Sequence, residues 1–82
     1  MTYTILRNGD TREVWNWRVG IFAWDLDGDY DDAEWNYKHL RSAQRMQRKL
    51  RIRYPNADID IFTTEEADAK RERLWEEEKE QR

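Results

Sequence analysis

From Asn36 to Tyr54 the apolar residues recur at helical spacing, and the pattern stops at Pro55, the chain's one proline. At about 100° per residue, Asn36, Leu40, Ala43, Met46, Gln47, Leu50 and Tyr54 share one side, with Trp35 and His39 near its edge. Lys38, Arg41, Arg45, Arg48 and Lys49 fall on the opposite side. Proline has no amide hydrogen and its ring clashes with the turn before it, so a helix ends there. The spacing therefore predicts an amphipathic helix capped by Asp31 or Asp32 and running to Tyr54. Such a helix must bury its apolar side against another element, and the rest of the chain has to supply one.

The flanking segments read as strands. Tyr3 to Leu6 alternates, Asn8-Gly9-Asp10 is a turn that tolerates positive φ, and a longer strand follows. On that strand Trp15, Trp17, Val19 and Ile21 take one face, with Trp15 and Trp17 expected in the core. Asn16, Arg18 and Gly20 take the other face, and Val14 and Phe22 stand at the ends. Beyond Pro55-Asn56, the run from Asp58 to Thr63 alternates polar and apolar residues as a half-exposed strand does.

Thr63 followed by Glu66 is a capping box that opens a last helix. Ala67, Leu74 and Trp75 are nearly the only apolar residues of this polar segment, 64–82, so it should dock weakly through Leu74 and Trp75 and fray beyond them. The order is β-β-α-β-α. It predicts one α+β domain over residues 1–82, with a three-stranded mixed sheet packed by the amphipathic helix. A parallel crossover in that sheet would be right-handed. The last helix should cover the second face of the sheet; left bare, that face would expose Phe22, Trp24 and Phe62 between Arg18 and Asp60.

Composition sets limits on the core. Hydrophobic residues make up 38% and charged residues 40% of the 82, a balance close to that of disordered chains. Aromatic mass offsets it: five Trp, four Tyr and two Phe, each able to bury roughly 150–250 Å². With no cysteine, neither disulfides nor thiolate metal sites reinforce the fold. The first residues lack the pattern of a signal peptide, and no apolar run approaches the roughly 20 residues that span a bilayer. The expected setting is cytoplasmic, without membrane contact.

The charges are sorted along the chain. Asp25, Asp27, Asp29, Asp31, Asp32 and Glu34 stand together without a base. Lys38, Arg41, Arg45, Arg48, Lys49, Arg51 and Arg53 then follow without an acid, and the last segment returns to an acidic excess.

The acidic run is the first place to look for chemistry. From Ala23 to Glu34 it resembles a calcium loop of the EF-hand type, with Asp25 and Asp27 at the third and fifth positions, Gly28 at the sixth and Glu34 at the twelfth. It departs from that pattern at Ala23, where the first ligand should be, at Tyr30, and in following a strand instead of a helix. The resemblance covers twelve residues and assigns no family. The simpler reading is a solvated turn whose acids favour the helix N-terminus beside it, and no metal or other cofactor is expected.

Signs of catalysis are lacking. Exposed carboxylates are poorly tuned for acid–base work. His39 is the one histidine and is expected to be packed or hydrogen-bonded, and no hydroxyl sits in a nucleophile motif. Gly9, Gly20 and Gly28 are too scattered for a phosphate loop. The expectation is a protein without catalytic residues.

What remains is binding. The preferred reading is a small adaptor or inhibitor acting on a protein partner. Its contacts would be the basic face of Lys38, Arg41, Arg45, Arg48 and Lys49, or the acidic surface of Asp25, Asp27, Asp29, Asp31 and Asp32. Trp24 or Trp75 would serve as anchor. By analogy of composition alone, phage-type inhibitors that occupy nucleic-acid-binding surfaces of host enzymes belong to this class. The alternative is direct nucleic-acid binding through the basic face. A third arrangement is a homodimer pairing the basic helix of one copy with the acids of another.

Overall fold

The strand Tyr3–Arg7 (β1) lies at the centre of the computed structural model, which describes residues 1–23 and 33–80. Val14–Asn16 (β2) and Ile21–Ala23 (β3) extend the sheet on one side, and Ile59–Thr63 (β4) pairs with β1 on the other. The order is β3-β2-β1-β4, and every pairing is antiparallel. Two helices complete the α+β fold: Leu40–Arg53 (α1) and Thr64–Glu80 (α2).

The sheet has four strands, where three in a mixed sheet were expected. The long second strand is broken after Asn16 because the Asn16 side chain captures the turn: its Oδ1 accepts from the Arg18 amide at 3.0 Å and the Val19 amide at 3.1 Å. Gly20 then adopts a φ of 80° and donates its amide to the Asn16 carbonyl at 2.8 Å. Of the residues read as a polar strand face, Asn16 ends β2 while Arg18 and Gly20 are turn residues. Consequently Trp17, Val19 and Ile21 do not line the core and are 46%, 63% and 49% exposed, while Trp15 is buried.

The central helix starts later than the periodicity implies. Ala33–Trp35 forms a single 3-10 turn, and Tyr37 bridges to Tyr3 through two backbone hydrogen bonds of 2.8 Å. That bridge commits Tyr37 to β1, so α1 begins only at Leu40. Asp31 and Asp32, read as its cap, lie outside the described residues. His39 holds the cap position with extended backbone, no capping side-chain bond and an exposed ring, not the packed site expected.

Alternation along β1 separates two cores. Ile5 joins Trp15, Leu50 and Ile59 on the face covered by α1, with Phe22, Tyr37, Met46 and Tyr54 packed around them. Leu6 joins Val14, Trp35 and Ala67 on the other face, beneath the start of α2, with Phe62 beside them. Phe22 and Phe62 therefore belong to opposite faces and form no common patch. α2 does cover the second face, but through the buried Ala67; Leu74 is exposed, and the Trp75 side chain lies outside the described ones.

The capping box is built as the sequence implies. The Glu66 amide donates to Thr63 Oγ1 at 3.2 Å, and Glu66 Oε1 accepts from the Thr63 amide at 3.3 Å and its hydroxyl at 2.8 Å.

Candidate binding surface

α1 places Ala43 and Leu50 in the core, with Met46 and Gln47 beside them. The turn geometry then puts Arg41, Arg45 and Arg48 on its outer ridge, and all three are exposed, as is Lys49 at its flank. Lys38 precedes the helix and is exposed outside it. Ile52 continues the ridge one turn beyond Arg48 and is 82% exposed. From Arg41 to Ile52 the ridge runs about 16 Å at 1.5 Å per residue.

Among the described residues no ion pair holds Lys38, Arg41, Arg45, Arg48 or Lys49. Only Arg51, at the margin, approaches a carboxylate, Asp60 Oδ1 at 3.8 Å. The charges of the last helix, α2, lie apart from this ridge. The fold separates the two, since α1 and α2 pack on opposite faces of the sheet. The acidic surface of Asp25, Asp27, Asp29, Asp31 and Asp32, with the anchor Trp24, lies outside the described residues. Glu34 is described and faces Arg18 at 3.8 Å.

A second feature lies at the C-terminal end of α1. Arg7, Asn8, Glu13, Arg53, Tyr54, Pro55, Asn56 and Ala57 line an open groove of about 490 Å³. The hairpin brings Arg7 opposite Glu13, whose carboxylate accepts from Nη2 at 2.8 Å and Nε at 3.2 Å. The same guanidinium lies 4.8 Å from the Phe22 ring centre and 5.4 Å from that of Tyr54. The hydrogen bond that Arg7 donates to Glu13 raises the Arg7 pKa, partial burial opposes it, and the charge of Glu13 adds to the rise. Arg53 stands 5.4 Å from the Tyr54 ring centre and is exposed.

Sequence reasoning missed Ile52 and this groove. The helical projection that grouped the arginines also carries Ile52 to their side, so that signal was present. The groove joins residues from a hairpin and a helix end, and no local spacing announces it. Among the described residues, no cluster of three His, Asp or Glu side chains could hold a metal ion, and no helix is long and apolar enough to cross a membrane. The chain matches no protein-family model, no curated protein and no solved structure.

Proposed function

We propose that this chain is a non-catalytic binding module that engages a protein partner through the outer face of α1. One observation carries the reading: Ile52, 82% exposed, continues the ridge of Arg41, Arg45 and Arg48. An isolated exposed apolar residue is ordinary. An isoleucine in line with arginines that have no described acidic partner matches interface composition better than a solvated face does. Arginine is enriched at interfaces, and their buried centres are apolar. The partner would carry an acidic rim around an apolar socket, with the ridge entering as a helix does a groove.

Phosphate attraction would need no isoleucine, and a net charge of -3 gives nucleic acid no general pull. Adaptor and inhibitor roles are both compatible with this contact.

Three parallel measurements test it. Chemical crosslinking in a cell extract should recover one partner with the native chain, lose it with Ile52→Asp and weaken it with Arg45→Glu. Recovery that neither substitution changes would remove the ridge from the contact. Fluorescence anisotropy with duplex DNA and structured RNA should show no binding at low salt. Salt-sensitive binding abolished by Arg41→Ala/Arg45→Ala would replace the protein partner with nucleic acid. Sedimentation at twice the chain mass, reversed by salt, would instead assign the ridge to a second copy.

A further inference from the structure

We infer that the groove at the C-terminal end of α1 is a binding site for a carboxylate or phosphate group, separate from the ridge and independent of its partner. Its charge is the first reason. Arg7 and Glu13 cancel each other through a two-point hydrogen bond, at 2.8 and 3.2 Å. Arg53 stands in the same groove, and no ion pair among the described residues compensates it. The negative end of a helix opposes an anion with about half an elementary charge. One full guanidinium charge exceeds that, so the site remains net attractive.

The hydrogen-bond inventory is the second reason. Asn8 Oδ1 accepts from the Asp58 amide at 2.9 Å, which sets the orientation of the side chain and leaves both hydrogens of its NH₂ for a ligand. Asn56 adds an exposed amide, and Arg53 a planar fork suited to two oxygens. Among the described residues Glu13 is the groove's one carboxylate, and Arg7 bonds both its oxygens. Among the described residues the groove thus offers donors and no unengaged anion, which is the complement of an oxyanion.

Order is the third. Arg7 is fixed by Glu13 and by the Phe22 and Tyr54 rings, so this wall of the groove needs no ordering when a ligand arrives. Asn8 is held in the left-handed region at a φ of 57°, with its own amide bonded to the Asp58 carbonyl at 2.7 Å.

The test is an NMR titration of the full chain with inorganic phosphate and, separately, sodium acetate, with ionic strength held constant by sodium chloride. Saturable shifts are expected at the Asn8 and Asn56 side-chain amides and at Arg53 Nε. Arg53→Gln should weaken binding about tenfold, the loss of one charge-assisted contact, while Arg48→Gln leaves it unchanged. Saturation by both anions assigns a general oxyanion site, and saturation by one alone names the head group. Asn56→Asp, which adds a negative charge to the rim, serves as a second variant should Arg53→Gln perturb the fold, and must weaken binding too. Shifts that stay linear, that chloride reproduces, or that survive both groove variants would overturn the assignment.

Discussion

Gln47 of α1 donates from Nε2 to the carbonyl oxygen of Ile59 in β4, at 2.8 Å. The bond crosses from a helix to the outer edge of the sheet. The paired positions 2/64 and 8/58 are hydrogen-bonded, so by antiparallel alternation Ile59, Ile61 and Thr63 turn their backbone groups away from β1. Gln47 occupies the Ile59 carbonyl, and Glu66 occupies the Thr63 amide. An edge that would otherwise recruit another strand is thus partly closed by side chains of the same chain.

Gln47→Ala should therefore do two things. Urea denaturation should show a loss of about 1 kcal/mol, the worth of one net hydrogen bond. Size-exclusion chromatography at high concentration should show more self-association than the native chain. A variant that is destabilised but stays as monodisperse as the native chain would rule out the edge-guarding role.

The β2–β3 turn depends on Asn16 and Gly20 for different reasons. A Cβ at Gly20 would meet nothing within 4 Å, so Gly20→Ala suffers only from its φ of 80°, at about 1 kcal/mol. Asn16→Ala removes the acceptor of two amides from a buried position and should cost more, about 2 kcal/mol. The reverse ranking in thermal or urea melts would contradict this account of the turn.

Trp15 is buried and donates from Nε1 to the Tyr37 hydroxyl at 3.1 Å. Burial raises the Tyr37 pKa, and the bond from Trp15 only partly offsets it. The folded value lies above the unfolded one, so Tyr37 contributes stability that is fully present below about pH 10 and lost as pH rises through the folded pKa. Tyr37→Phe should cost about 1–2 kcal/mol at neutral pH by orphaning the indole donor. It should also flatten the alkaline limb of stability against pH; an unchanged limb would place the decline elsewhere.

Asp10 marks the acid side. Burial acts to raise its pKa, but hydrogen bonds from the Arg12 guanidinium and amide, with the charge of Arg12, hold it below the ordinary value. A depressed folded pKa gives stability that is present above the unfolded value, near 3.9, and lost as pH falls through the folded one. Asp10→Asn should be less stable than the native chain at pH 6 and converge with it toward pH 2. Parallel curves over that range would show that Asp10 does not contribute.

Legibility in the sequence followed the range of the interactions. Thr63 and Glu66 are three residues apart, and their capping box formed as read. α1 and its basic side were legible because helical period is local. The strand from Val14 to Phe22 was misread because an alternating pattern cannot distinguish a polar strand face from a turn in which Asn16 binds its own backbone. The start of α1 was misread because Tyr37 is claimed by Tyr3, a contact thirty-four positions away. α2 was expected to dock through Leu74 and Trp75, yet Leu74 is exposed and the small Ala67 is the apolar residue buried among the described side chains. Close approach of a helix to a sheet favours little bulk at the contact. The groove was illegible for the same reason as the Tyr3–Tyr37 bridge.

The placement of α1 and α2 on opposite sides of one sheet makes the surface two-sided. Arg41, Arg45, Arg48 and Lys49 face one direction, while Glu65, Glu66, Glu72, Glu76 and Glu77 belong to a helix that faces the other. An isoelectric point near 5.2 describes only the sum and says nothing of this sorting between the two sides. At low ionic strength such a molecule orients before it touches anything. It will meet a positively charged surface acidic side first, so an anion-exchange matrix should hold it with the α1 ridge turned away from the matrix.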